Sequence, residues 1–160
     1  MEIEELFGLP AHPLFVHVAV VLLPLAAIAT LVCAAVPRAR RHYAPVALGV
    51  ALVATLAVGL AQGSGEELED HVDETELVRE HTEQGEQVLP WAIAVTLAAA
   101  AVTAAPFVAK RRPTLPSRAV TATLVVLALV AGAGATWTVV EVGHSGAAAT
   151  WDGVGERDEG

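Results

Sequence analysis

Four long apolar runs, residues 14–36, 44–61, 91–109 and 119–140, set the rhythm of this chain. None contains a Lys, Arg, Asp or Glu. Each is about 18–23 residues, which at 1.5 Å per residue spans the ~30 Å of a bilayer's hydrocarbon. Between the second and third runs lies the one long polar stretch, 66–88. There Leu68, His71, Val72, Thr75, Val78, Thr82, Gly85 and Leu89 recur in steps of three and four, with charge all around. That spacing predicts an amphipathic helix on the membrane surface. The pattern therefore predicts an all-α fold: a four-helix transmembrane bundle of two antiparallel hairpins, with an outer amphipathic helix between spans two and three. Residues 1–151 make a single four-span domain, and the Gly-rich, charged 152–160 reads as a disordered tail.

Local signals refine the elements. Pro13 lies near the first helical position of span one, Pro24 lies inside it, and Pro37 with the arginines ends it. Gly59 and Gly63 have the small-xxx-small spacing that permits close helix contact, and Gly63 with Gly65 also marks a stop for span two. Ser64 with Glu67 forms a possible capping box for the amphipathic helix. Pro90 is placed to kink the chain or to start span three. Ser117 is a candidate N-cap for span four, and Gly132 and Gly134 within it let a neighbour approach closely. Trp91 and Trp137 fall where indoles prefer to lie, at a membrane interface.

Composition agrees with a membrane protein. The chain is 54% hydrophobic with only 4% aromatic residues. Charge then supplies the orientation. The loops joining runs one to two and three to four hold Arg38, Arg40, Arg41, Lys110, Arg111, Arg112 and Arg118, and no acid. The tails, the polar stretch and Glu141 hold every acidic residue, with only Arg79 and Arg157 for company. Basic loops stay in the cytoplasm, so both termini and the 62–90 loop are expected outside. The acidic N-terminus carries no positive n-region, so run one reads as an uncleaved span rather than a signal peptide. Cys33, alone, reads as a small packing residue. The basic residues are accounted for by topology, which leaves nothing to argue for nucleic acid. The bilayer itself, and a membrane partner or a second copy, are the expected associations.

The orientation gathers His12, His17, His71, His81 and His144 on the outer side and leaves His42 inside. Ionisable groups near hydrocarbon are costly and tend to be functional. His17 sits about one turn inside span one, where it needs a hydrogen-bond partner or a metal. Glu141 and His144, at i and i+3, share a helix face in a Glu-x-x-His arrangement. This is half of a dinuclear carboxylate signature. The other half is missing: Leu68 precedes His71 and Val78 precedes His81 at that spacing. A mononuclear site from His17, His81 and His144 with Glu141 is the metal expectation. A b-type haem would need two axial histidines at similar depth, and only His17 lies within a span. The opposing reading is a cofactor-free structural or partner-binding subunit in which the histidines bond neighbouring helices. A further alternative is a proton relay through His17 and Glu141. No Cys-x-x-Cys-His, P-loop or dinucleotide motif is present, and no catalytic arrangement follows from spacing, so an enzyme is not expected.

The segment Leu9-Pro10-Ala11-His12-Pro13-Leu14-Phe15-Val16-His17-Val18, the glycine ending span two, His81 before span three, and Gly143-His144-Ser145-Gly146-Ala147 together resemble the bacterial family called domain of unknown function 2231. The resemblance covers roughly 8–151. It implies a four-span bacterial inner-membrane protein without an assigned activity. It points to His12, His17, His81 and His144 as the shared histidines, which adds His12 to the candidate metal ligands and gives His71 no counterpart.

Overall fold

A computed structural model describes residues 5–6, 9–69, 72, 75–112 and 117–151. Five helices follow one another: α1 (Ala11–Ala35), α2 (Pro37–Glu69), α3 (Glu76–Glu86), α4 (Val88–Arg111) and α5 (Ser117–Trp151). Ahead of them β1 (Glu5–Leu6) and β2 (Leu9–Pro10) form a two-rung antiparallel pair, with Leu6 opposite Leu9. The fold is all-α, a four-helix transmembrane bundle. Among the described residues α1, α2, α4 with its α3 lead-in, and α5 are long and apolar enough to cross a membrane.

The helices pack around a square in the order α1, α2, α4, α5, with few diagonal contacts. The interior is built from small residues. One cluster centres on Ala19, Leu23, Ala26, Ala54, Ala92, Val95 and Ala135; the other on Cys33, Ala34, Ala44, Ala47, Val102 and Ala128. Alanine at the seam is the membrane solution to association, because lipid offers no hydrophobic drive and close backbone approach must supply the contact. Gly132 takes this furthest: a Cβ there would lie 3.1 Å from that of Ala27, so α5 runs tight against α1. Polar side chains add cross-links between α2 and α4. Thr55 Oγ1 donates to the Ala92 carbonyl at 3.1 Å and lies 2.8 Å from Thr96 Oγ1. Thr103 Oγ1 reaches the carbonyls of Ala44 and Ala99. The outward faces carry large apolar residues, among them Val21, Ile28, Leu56, Leu97 and Phe107, each more than half exposed. This surface suits hydrocarbon rather than water.

The corner between α1 and α2 is a single residue, Val36. Pro37 opens α2 at a helix's first position, where its missing N–H costs nothing. Arg40 then folds back on the end of α1, its Nε donating to the Cys33 carbonyl at 3.1 Å and Nη2 to the Ala34 carbonyl. The arginines therefore sit on helix rather than in a loop, and one of them satisfies carbonyls that a helix end leaves without partners.

Several boundaries differ from the sequence expectation. Span two does not stop at its glycines: α2 passes through Gly59, Gly63 and Gly65 to Glu69. A helical glycine costs only ~1 kcal/mol against alanine, which packing readily offsets. Gly59 and Gly63 make no close helix contact, since a Cβ on either meets nothing within 4 Å. Ser64 is not a cap. It lies inside α2 and donates back to the Leu60 carbonyl at 2.8 Å. The amphipathic stretch is correspondingly split, its first residues ending α2 and the remainder forming α3. Thr75 caps α3, its hydroxyl accepting from the Val78 N–H at 3.2 Å. Only Gln87 separates α3 from α4. Finally, α5 runs to Trp151, so Glu141, His144 and Ser145 stand on helix. The turn before Ser117, His71 and the tail after Trp151 lie outside the described residues.

Candidate functional site

The helix ends away from the α1–α2 corner carry His12, His17, His81 and His144, and two of these turn inward. His12 is the second residue of α1. Its Nδ1 lies 2.8 Å from the Ala61 carbonyl of α2. A carbonyl only accepts, so Nδ1 carries a proton and donates. The ring rests on Gly65, where a Cβ would come within 3.0 Å of Cε1. The glycine read as a helix stop is thus the floor under an imidazole.

His81 comes from α3 and crosses to α5, its Nδ1 3.2 Å from Ser145 Oγ. Ser145 is buried and gives its own proton to the Val142 carbonyl at 3.2 Å, so its oxygen accepts from His81. Here too Nδ1 is the donor, and the Val142 carbonyl also accepts from the ring. The ring covers Gly146, where a Cβ would stand 2.8 Å from Cε1. α3 precedes the apolar run of α4, and burial pushes the His81 pKa below its usual 6.5, with nearby His12 acting in the same direction and the Val142 carbonyl opposing. The ring is therefore neutral at neutral pH.

The two histidines meet at one height. Ala27 and Gly132 touch where antiparallel α1 and α5 pack. From that contact His12 is ~22 Å back along α1 and Gly146 is ~21 Å onward along α5, at 1.5 Å per residue. The ring that covers Gly146 consequently lies beside the start of α1. Gln62 of α2 closes the fourth side, its Nε2 donating to the Gly85 carbonyl of α3 at 2.8 Å. Gln84, one turn from His81 on the half-buried face of α3, donates Nε2 to Glu80 at 3.0 Å. Its Oε1 is buried with no hydrogen-bond partner among the described residues.

The other candidates stand elsewhere. His17 is exposed on α1, and its Nδ1 turns back to the Pro13 carbonyl of its own helix at 2.5 Å. Glu141 and His144 are exposed on α5. Glu141 lies nine residues beyond Gly132, about 180° around an ideal helix, and so faces away from α1. His17 and Glu141 are not neighbours, which removes the geometric basis of a relay between them. The set His17, His81, His144 and Glu141 is not assembled. Among the described residues no group of three or more His, Cys, Asp or Glu is placed to hold a metal ion.

Four helices apolar enough to cross a membrane agree with the comparison to known proteins. A family described as predicted membrane protein, domain of unknown function 2231, matches residues 8–158. The chain belongs to this family. No curated protein and no solved structure matches it. Within this member of the domain of unknown function 2231 family, Ala61, Gln62, Gly65, Gln84 and Ser145 are the site residues that spacing alone did not single out. Ser145 and Gly146 were within reach, since they stand beside His144 in the Gly-His-Ser-Gly-Ala segment, and they rather than the histidine face inward.

Proposed function

We propose that this protein is a non-catalytic multi-pass membrane subunit whose histidine-bearing end is held closed by imidazoles and offered to a partner. The observation that carries the reading is the pair of inter-element bonds, His12 to Ala61 and His81 to Ser145. Each joins elements that nothing covalent joins nearby, at the end where the bundle would otherwise splay. The charge pattern supports an orientation with that end and both termini outside a bacterial inner membrane, because the basic corners belong in the cytoplasm. The acids on the exposed side of α3, Glu76, Glu80, Glu83 and Glu86, give the outer surface its character and favour a basic partner.

A b-type haem between His17 and a second histidine finds no support in this arrangement. His17 points away from the bundle, and the interior beside it is closed by Ala19, Ala57 and Val58.

A double-mutant cycle on thermal unfolding in detergent tests the tethering role. His81→Ala and Ser145→Ala should each destabilise, and together they should cost ~1 kcal/mol less than the sum of the singles, the size of one hydrogen bond. Strict additivity would remove the tether. A Soret band on haem reconstitution would restore the cofactor reading.

A further inference from the structure

The end of the bundle at the α1–α2 corner carries cations and no acid. Arg38 and Arg41 stand on the first turns of α2, Lys110 and Arg111 on the last turn of α4 with Arg112 as its cap, and Arg118 on the first turn of α5. All six are exposed. Arg40 differs, being partly buried and spent on the carbonyls of α1. No Asp or Glu occurs in residues 7–65 or 87–140, and none of the six forms an ion pair among the described residues. Helix packing sets their height. Thr103 of α4 bonds the Ala44 carbonyl of α2. From that level Arg41 and Arg38 lie ~5 and ~9 Å toward the corner, and Lys110 and Arg111 ~11 and ~12 Å, at 1.5 Å per residue. Trp91 of α4 lies over Gly134 of α5. From there Arg118 is ~24 Å along α5 and Lys110 ~29 Å along α4. The cations therefore share a band ~10 Å deep on three consecutive corners of the square, α2, α4 and α5.

That band falls at headgroup depth. Its distance from Trp91 is close to the ~30 Å of hydrocarbon that separates the two interfaces. Tyr43, 65% exposed, stands just on the bundle side of Arg41 and Arg38, the level at which an amphipathic ring marks an interface. Long basic side chains keep their stems on apolar surface and their charge among headgroups. Guanidinium groups also match phosphate oxygens in pairs. Arg38 and Arg41 cannot swing away as loop residues would, because α2 begins one residue after α1 ends. We propose that this basic band binds the headgroups of anionic phospholipids in the surrounding bilayer and selects them over zwitterionic ones. A zwitterionic headgroup brings its own ammonium to offset the phosphate, and an anionic one does not. Lipids meet the band on every side it occupies, whereas a soluble acidic partner would have to enter the headgroup layer to reach it. The band lies at the opposite end from the histidine tethers, so it stands or falls separately from their role.

The test is lipid selectivity of the chain reconstituted in phosphatidylcholine vesicles at neutral pH, with a trace of spin-labelled phosphatidylglycerol or spin-labelled phosphatidylcholine. Electron paramagnetic resonance reads the fraction of each label immobilised on the protein. Both leaflets have one composition, so the direction of insertion does not enter. Phosphatidylglycerol should be favoured ~5-fold at low salt, the effect of one basic residue on one charge at a membrane surface. The preference should approach parity in about 1 M NaCl, where the Debye length is ~3 Å. Arg38→Gln/Arg41→Gln and Lys110→Gln/Arg111→Gln/Arg112→Gln should each lower it, and all five with Arg118→Gln should abolish it. Arg38→Lys/Arg41→Lys, which keeps the charge, and Arg79→Gln, at the other end, should retain it. If a glutamine variant fails to fold, the parent's selectivity and its salt dependence decide alone. Equal association of the two lipids with the parent at low salt would overturn the proposal and leave the band to an acidic soluble partner. A preference that survives all six substitutions or is lost with Arg79 would overturn it too. So would a preference that inorganic phosphate abolishes at an ionic strength where NaCl does not, which would mark a site for free phosphate.

Discussion

At the scale of single residues, glycine positions decide where side chains from other helices can lie. Gly134 lies directly beneath Trp91, and a Cβ there would fall 2.4 Å from the indole carbons. Gly134→Ala should therefore cost about 1–3 kcal/mol through overpacking. Gly59→Ala, open on all sides in the middle of α2, should be neutral or stabilise by up to ~1 kcal/mol from helix propensity. Chemical or thermal unfolding of the two variants side by side checks both, and equal effects would mean that the packing around Trp91 is wrong. The histidine assignments were partly legible by the same periodicity that found the spans. His12 falls in seven-residue step with Ala19, Ala26 and Cys33, all buried, and Ser145 with Leu124, Ala131 and Thr138, also buried. His17 steps instead by four and eleven to exposed Val21 and Ile28, and His144 back by four and seven to exposed Val140 and Trp137. Depth in the membrane drew attention to His17, but facing, not depth, determines what a side chain meets.

At the scale of elements, α3 is the least secured helix. None of its residues is buried, and its exposed face carries Arg79 paired with Glu76 and Glu83. Such exposed pairs are worth little, so docking rests on the His81–Ser145 and Gln62–Gly85 contacts. That gives docking a pH dependence with a definite sign. The His81 pKa is lowered from 6.5 in the docked state. An undocked ring therefore takes up its proton first as pH falls, and protonation favours release. The contribution is complete above about 6.5 and is lost as pH drops through the lower docked value. Hydrogen exchange of α3 amides in detergent should quicken in mildly acidic buffer, after correction for intrinsic rates, while α4 amides hold. Equal behaviour of the two helices, or slower α3 exchange in acid, would contradict this. The break between α2 and α3 was not legible, because the three-and-four periodicity of the polar stretch continues across it. α2 persists past three glycines since its partner α1 is still beside it, with His12 against Gly65 as the last contact.

At the scale of the whole molecule, the four apolar runs were enough to read the bundle, because bilayer thickness and the cost of buried charge constrain them strongly. How the histidine-bearing ends close was not readable, since it depends on which face of α3 meets which helix. In the structure that closure is made by His12 and His81, while His17 and His144 look outward. Thermal unfolding of the four single histidine-to-alanine variants in one detergent tests this most directly. His12→Ala and His81→Ala should each lose about 1–2 kcal/mol, the worth of a hydrogen bond and of the contact it anchors. His17→Ala and His144→Ala should stay within about 0.5 kcal/mol of the parent, as exposed substitutions do. Losses at His17 or His144 that match or exceed those at His12 and His81 would contradict the account.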